Sequence, residues 1–152
     1  MKTKVNNRIW GLRMVMENGG DSVSGKMYYI SMVWSLLEVN VEIWNGRLTA
    51  KNVLDLEKIQ IRCFKLILKN KYRTYNEALA FFELERLSAR RESLCLSFIR
   101  KAVKHHPDLY PLQESHTTRL GVKKPVKVPK YKKGYHELSG KVYLCRLYNN
   151  NL

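Results

Sequence analysis

The sequence predicts a mainly α-helical protein: an irregular bundle of four or five helices followed by a basic, extended C-terminal arm. Two observations support this fold class. Apolar residues recur at three- and four-residue spacing from Val5 to Ala102, which is the repeat of one face of an α-helix. The composition then changes, because all four prolines lie from Pro107 onwards. We therefore expect a helical domain over residues 1–110 and an arm over residues 111–152.

The sequence pattern of the N-terminal third predicts two helices and a turn. The first helix is amphipathic, with apolar positions at Val5, Ile9, Leu12 and Met16. A Gly-rich loop at residues 18–21 separates it from a second helix, expected from Ser24 to about Ile43. The β-branched residues at the end of that helix leave a short strand conceivable there. Asn45-Gly46 predicts a turn, and Thr49 is a candidate N-cap for the next helix.

The central helix, from the candidate cap at Thr49 to a cap at Asn70, has an apolar stripe and a basic stripe. The apolar positions are Leu56, Ile59, Cys63, Leu66 and Ile67. The basic positions are Lys58, Arg62, Lys65 and Lys69. At roughly 100° per residue, the two stripes lie about 120° apart. The basic stripe is either a solvated charged face or a surface that meets an anionic ligand.

A short helix from Tyr75 to about Phe82 follows, and a capping box predicts its start. In that box Thr74 and Glu77 each satisfy a free backbone N–H of the other. We assign both residues a structural role.

The last long helix runs from about Leu87 towards His105 and is ended by Pro107. Its apolar positions are Leu87, Leu94, Cys95, Phe98 and Ala102. Its exposed basic face is predicted from Arg90, Arg100, Lys101 and Lys104. Arg91 falls within the apolar arc, where a guanidinium is costly unless it is paired. We expect Arg91 to be a buried strut that bridges to a carboxylate or to helix-end carbonyls.

The arm is strongly basic and has no acid between Arg119 and Lys133. Its cations there are Arg119, Lys123, Lys124, Lys127, Lys130, Lys132 and Lys133. Tyr131 and Tyr135 place aromatic planes beside these cations, which suits single-stranded nucleic acid. The alternative is a disordered basic tail with incidental aromatics. Residues 126–128 alternate as a short strand would, although we expect a solvated extended segment, and the sequence allows a terminal helix over residues 141–148.

Composition narrows the class of partner and the compartment. The 152 residues suffice for one domain with a single core. A net charge of +15, from 28 basic and 13 acidic residues, predicts an anionic partner. Three widely spaced cysteines and a polar N-terminus predict an intracellular protein of the nucleus or cytoplasm. The longest apolar run, from Met27 to Leu37, is too short to span a bilayer.

Signatures of metal and catalytic sites are missing from the sequence. The cysteines and histidines have no paired spacing of the kind that zinc modules use. They are Cys63, Cys95, Cys145, His105, His106, His116 and His136. No Gly-rich phosphate loop and no nucleophile with an orienting carboxylate is evident. We therefore expect no metal, no cofactor and no catalysis by this chain alone.

Six short segments follow one another in an order that is typical of one known family. Residues 56–62, 75–79 and 84–91 resemble its "LExxQxR", "SYxEAL" and "LxxLxxRR" motifs. Residues 33–38 and 43–49 resemble "VRSxLEY" and "VWxGxLT", and residues 139–149 resemble "S…YLxRLxN". In these segments the chain resembles the C-terminal region of jockey-like LINE (non-LTR) retrotransposon reverse transcriptases, beyond the palm. The resemblance covers nearly the whole chain.

The resemblance implies a thumb-like module and C-terminal extension of an RNA-directed DNA polymerase. The palm of such an enzyme needs paired aspartates to hold metal ions, whereas Asp21, Asp55 and Asp108 are isolated. We therefore expect no catalytic palm in this chain and no polymerase activity from it alone. Trp34 replaces the usual Arg and Val41-Glu42 replaces a small-Pro pair, which indicates a drifted or domesticated copy.

Three functions remain open at this point. The first is a nucleic-acid-binding module whose basic stripes and arm contact RNA, DNA or an RNA–DNA hybrid. The second is a structural or interaction protein that packs on a separate acidic partner or on a polymerase core in trans. The third is a peripheral membrane binder, which is disfavoured because the apolar helix faces are committed to a core.

Overall fold

The computed structural model describes residues 2–113, 116–118, 121–123, 125–130 and 139–152. The protein is mainly helical, which confirms the predicted fold class. The described residues form seven helices, more than the four or five expected, and two short strands. The helices are α1 (Lys2–Glu17), α2 (22–38), α3 (Val41–Trp44), α4 (Ala50–Leu68), α5 (Tyr75–Phe82), α6 (Leu87–His105) and α7 (Gly140–Asn150). The strands are β1 (His116–Thr118) and β2 (Gly121–Lys123).

Three of these helices carry turns of other helical types. α2 has a π-helical middle, Tyr29–Trp34, between the α-helical parts Ser22–Tyr28 and Ser35–Glu38. 3₁₀ turns follow α3 at Asn45–Arg47 and α4 at Lys69–Lys71. None of the described helices is long and apolar enough to cross a membrane.

The chain forms two compact units. Unit 1 comprises Met1–Val39 and Thr49–Arg90, and unit 2 comprises Asn40–Leu48 and Arg91–Leu152. This division differs from the expected boundary after residue 110. The physical reason is one apolar core in unit 2 that joins three separated parts of the chain. Its buried members are Val41, Cys95, Ile99, Ala102, Leu144 and Leu147.

Helix ends account for most of the differences from the expected boundaries. Asn40 is left-handed, with φ 51°, so α2 ends at Glu38 rather than near Ile43. α4 ends at Leu68 and not at Asn70, because Lys69 has a positive φ of 47°. Glu83, with φ 53°, turns the chain after α5. Such conformations are uncommon for residues other than glycine, so local sequence predicts them poorly.

The helix N-termini follow the sequence closely. The Thr49 hydroxyl accepts the Asn52 N–H at 3.3 Å, and the Thr74 hydroxyl accepts the Glu77 N–H at 3.2 Å, as predicted. The second bond of the predicted capping box, from the Thr74 N–H to the Glu77 carboxylate, is not formed between these two described residues, so only the Thr74 half of the box is confirmed. Ser139 caps α7 in the same way through the Val142 N–H. Asp21 caps α2, and hydrogen bonds from the Ser24 hydroxyl and N–H hold the pKa of its carboxyl below the usual range. Each cap satisfies a backbone donor that the helix leaves free.

Unit 1 has an aromatic core. The predicted face of α1 is buried, through Val5, Ile9, Leu12 and Met16. The Phe64 ring lies 5.5 Å from the Tyr29 ring and 5.0 Å from the Phe82 ring, between centroids. The buried face of α4 includes Gln60 and Phe64 and is rotated from the predicted one, since Ile59 and Leu66 are only half-buried.

The arm of unit 2 is partly a β-hairpin, not a free extended segment. β1 pairs antiparallel with β2, with Thr117 opposite Val122. A further antiparallel bridge joins Leu112 and Val126. It is flanked by hydrogen bonds from the Gln113 N–H to the Pro125 carbonyl at 2.7 Å and from the Lys127 N–H to the Pro111 carbonyl at 2.8 Å. Val126 is fully buried, which corrects the expected solvated conformation.

Candidate functional site

The basic stripe of α4 is exposed, but most of its side chains have internal partners. Lys58 forms an ion pair with Asp55 at 3.2 Å. The Lys65 ammonium lies 5.4 Å from the centre of the Tyr72 ring, and Lys69 donates to the Met16 carbonyl at 3.2 Å. Arg62 has no hydrogen bond or ion pair within the described part of the chain. The stripe therefore offers one unengaged cation rather than four.

Arg90 is only partly exposed and contacts residues of unit 1, which differs from the open basic face expected for it, and its role in binding nucleic acid stays a prediction. Its Nε lies 3.1 Å from the Glu38 carboxylate, and its guanidinium lies 5.5 Å from the centre of the Trp34 ring. These contacts hold Arg90 against α2 within unit 1. Screening by solvent makes such a half-exposed ion pair worth only about 0–1 kcal/mol.

The C-terminal half of α6 carries the remaining cations of that helix. Arg100, Lys101 and Lys104 are exposed, as predicted. None of the three forms an ion pair or hydrogen bond with any described residue. They are the densest group of unengaged cations on any described helix, because three of the four cations of the α4 stripe contact neighbouring side chains or a backbone carbonyl.

The structure describes only part of the basic arm. Lys127 and Lys130 have exposed side chains, and they lie one and four residues beyond the buried Val126. Lys123 lies in β2. The other predicted contacts of the arm fall outside the described residues: Arg119, Lys124, Tyr131, Lys132, Lys133 and Tyr135. Their predicted roles stay predictions.

Arg91 is the largest fully buried side chain among the described residues, with an exposed fraction of 1%. Its Nε donates to the side-chain oxygen of Asn45 at 3.2 Å, so an amide, not a carboxylate, is the partner at this atom. Asn45 in turn donates to the Tyr143 hydroxyl at 2.9 Å. Gly46 lies so close to Tyr143 that a Cβ added at Gly46 would be 2.5 Å from the Tyr143 Cβ. Arg91 is thus a structural residue that ties α6 to the turn after α3.

A second polar network lies in unit 1 and was not predicted. The Tyr75 hydroxyl hydrogen-bonds Glu57 Oε2 and lies 2.6 Å from Gln60 Oε1. Glu57 Oε1 accepts the Ser88 N–H at 2.7 Å, which places a carboxylate at the N-terminus of α6. Gln60, fully buried, donates to the Glu85 carbonyl at 3.2 Å. The network connects α4, α5 and the start of α6.

Residues of both networks come from the segments in which the resemblance was found. Glu57 and Gln60 belong to the "LExxQxR" segment, Tyr75 to "SYxEAL", and Ser88 to "LxxLxxRR". Within unit 2, Arg91, Asn45 and Tyr143 likewise come from three different motif segments. These residues hold helices together, and only the polar side chains inside an otherwise apolar stripe, such as Gln60, signalled that role in the sequence.

The described residues offer no evident chemistry of catalysis or metal binding. They contain no group of three or more His, Cys, Asp or Glu side chains that could hold a metal ion. The three cysteines are buried free thiols. Burial raises the pKa of Cys63 to about 12 and that of Cys95 to about 11, so both are poor nucleophiles at neutral pH.

Comparisons with known proteins leave the family open. No protein-family model, no curated protein and no solved structure matches the chain. The likeness to reverse transcriptases therefore depends on the six segments alone.

Proposed function

We propose that this chain is a nucleic-acid-binding, thumb-like module of a non-LTR retrotransposon reverse transcriptase, and that it is not catalytic by itself. One observation supports this proposal most strongly. Unit 2 has exposed cations on α6 and on the arm that have no partner within the described residues. These cations are Arg100, Lys101, Lys104, Lys127 and Lys130.

The overall charge of unit 2 favours the same interpretation. It contains fourteen of the 28 basic residues and five of the 13 acidic residues, which leaves nine positive charges in excess. An excess of this size opposes compactness unless an anion neutralises it. Phosphate contacts give affinity and position but little sequence choice, and this set of cations offers no evident reader of base edges. The ligand class is therefore RNA, DNA or an RNA–DNA hybrid, bound through its backbone.

In this proposal another polypeptide segment or a separate protein carries out catalysis. The isolated aspartates of the chain do not form the pair that a polymerase palm requires. A palm encoded upstream, or a polymerase core in trans, would supply the reaction. This chain would hold the nucleic acid near it.

Binding of the full chain to four labelled ligands tests the proposal. The ligands are duplex DNA, an RNA–DNA hybrid, single-stranded RNA and vesicles of anionic lipid. We expect binding to the nucleic acids that weakens steeply as salt rises, and weaker binding to the vesicles because the apolar faces of α1 and α6 are buried. Equal or tighter binding to vesicles, or no binding to any nucleic acid at low salt, would overturn the proposal.

The interaction-protein function has one observation in its favour. Val23, Met27 and Ile30 form a stripe on α2 and remain exposed, with Met27 at 67%. Exposed apolar stripes often mark a protein interface. If a polymerase core in trans packs there, Met27→Glu should abolish binding to that core and leave the affinity for nucleic acid unchanged. Unchanged binding to the core would exclude this surface.

A further inference from the structure

The outer face of α6 presents two hydroxyls beside its three cations. Ser93, Ser97, Arg100, Lys101 and Lys104 are all exposed. At roughly 100° per residue, they fall within an arc of about 100° on the helix. That arc lies opposite the buried positions Cys95, Ile99 and Ala102. We refer to these five residues as the Ser93–Lys104 face, and all of them belong to unit 2.

The hydroxyls of this face are not used inside the protein. Serines within helices commonly bond the carbonyl four residues earlier. Ser31 and Ser35 of α2 do so, at 2.8 Å to the Met27 carbonyl and 2.5 Å to the Ser31 carbonyl. The hydroxyls of Ser93 and Ser97 form no hydrogen bond within the described part of the chain. Each is therefore a donor available to a ligand.

The surroundings of the face select the kind of ligand. Glu92, the one acid of α6, lies outside the arc by about 80° or more at roughly 100° per residue. The arc contains no apolar side chain, whereas protein interfaces are built around apolar or aromatic anchors. It also contains no aromatic side chain, on which single-stranded bases would stack. Cations and hydroxyls together are the groups that contact phosphate and sugar.

We infer that the Ser93–Lys104 face binds the phosphate backbone of a double-stranded nucleic acid. Ser93 and Ser97 donate hydrogen bonds to phosphate oxygens, and Arg100, Lys101 and Lys104 neutralise phosphate charge. The face is about 16 Å long at 1.5 Å per residue, and one strand of a duplex presents a phosphate about every 3.4 Å along the axis. The face is therefore long enough to contact several phosphates of one strand. This inference rests on the proposed function and specifies its ligand and contact residues.

Paired substitutions in the full chain separate hydroxyl contacts from general charge. Ser93→Ala with Ser97→Ala should weaken binding to duplex DNA about tenfold at fixed salt, because two hydrogen bonds are lost. The salt dependence should stay unchanged, since no cation is removed. Ser93→Lys with Ser97→Lys should instead steepen log affinity against log salt by about 1.8, or 0.9 per added phosphate contact.

Ser31 and Ser35 provide the matched control, because they are also exposed and four residues apart. Double substitution of Ser31 and Ser35 by Ala, or by Lys, should change neither the affinity for duplex DNA nor its salt dependence. If only the Lys pair at positions 93 and 97 steepens the slope of log affinity against log salt, the inference is supported. Loss of folding would not produce such a steeper slope. Three results would overturn the inference. They are equal effects at both pairs of positions, no effect at positions 93 and 97, and stronger binding to single strands than to duplex. In those cases salt-dependent binding by the unmodified chain would still support the proposed function, whereas absence of all binding would overturn both.

Discussion

The side chain of Asn149 bonds both backbone groups of Val126. Its Oδ1 accepts the Val126 N–H at 2.8 Å, and its Nδ2 donates to the Val126 carbonyl at 3.0 Å. Val126 meanwhile pairs with Leu112 across the hairpin. The amide of Asn149 therefore takes the place of a neighbouring strand, and it attaches the basic arm to α7.

Replacement of Asn149 should loosen the arm. Asn149→Ala leaves a buried N–H and a buried carbonyl without partners, which costs about 1–3 kcal/mol per group unless the segment opens to water. We expect faster hydrogen exchange at Val126 and a lower free energy of unfolding. Asn150→Ala is the control, because Asn150 is the next residue of α7 and is exposed. Equal exchange rates in the two variants would show that Asn149 does not hold the arm.

Three arginines of α6 should differ in their effect on stability. Arg91→Ala empties a buried site and removes a hydrogen bond to Asn45, so we expect a loss of about 2–5 kcal/mol. Arg90→Ala removes the contacts with Glu38 and Trp34 and should cost about 1 kcal/mol. Arg100→Ala, on the exposed face, should be nearly neutral. Urea denaturation measures all three, and an Arg91 variant as stable as the Arg100 variant would contradict the structural role.

The Tyr75 hydroxyl should contribute to the stability of unit 1. Tyr75→Phe leaves Glu57 Oε2 and Gln60 Oε1 without their shared donor, at a cost of about 1–3 kcal/mol. Tyr72→Phe is the matched control, because Tyr72 contacts Lys65 through its ring face and its hydroxyl forms no bond within the described residues. Thermal unfolding of both variants gives the comparison. Similar melting temperatures would mean that the network contributes little.

Alkaline pH should destabilise the protein through its buried thiols. The pKa values of Cys63, about 12, and of Cys95, about 11, are raised above the unfolded value near 9, chiefly by burial. A raised pKa means that the folded chain keeps a proton which the unfolded chain loses. The stabilising effect of the protonated thiols is therefore complete below about pH 9 and is lost as pH rises towards the folded values.

The variant Cys63→Ala isolates one of these contributions. Between about pH 9 and 11, each retained proton lowers the free energy of unfolding by roughly 1.4 kcal/mol for every unit by which pH rises. The variant should lose stability with pH less steeply than the parent chain, whatever its stability at neutral pH. All groups other than the Cys63 thiol are the same in both proteins. Parallel curves in reducing buffer would show that the Cys63 thiol titrates normally in the fold.

Local pattern predicted the features that depend on local spacing. The mainly helical class, the caps at Thr49 and Thr74 and the exposure of Arg100, Lys101 and Lys104 all follow from it. It did not predict the end of α2 at Glu38, because Asn40 takes an uncommon left-handed conformation. It also missed contacts between distant residues: Arg90 with Glu38, Glu57 with Ser88, and Asn149 with Val126. Their partners lie 23 or more residues away, where periodicity carries no information about which side chains meet.

The salt dependence of duplex binding tests the central proposal most directly. One variant replaces the unengaged cations of α6 and the arm by glutamine, at Arg100, Lys101, Lys104, Lys127 and Lys130. A control variant replaces five exposed cations of unit 1 outside the predicted stripes, at Lys4, Arg13, Lys51, Lys71 and Arg73. Both variants lose the same total charge, so general electrostatic attraction falls equally in both.

We expect the slope of log affinity against log salt on duplex DNA to be smaller by about 4.5 in the unit 2 variant, if all five cations contact phosphates. The control should keep the slope of the unmodified chain within about one unit. Equal loss in both variants would mean that charge alone attracts the nucleic acid, and an unchanged slope in the unit 2 variant would contradict the proposed interface.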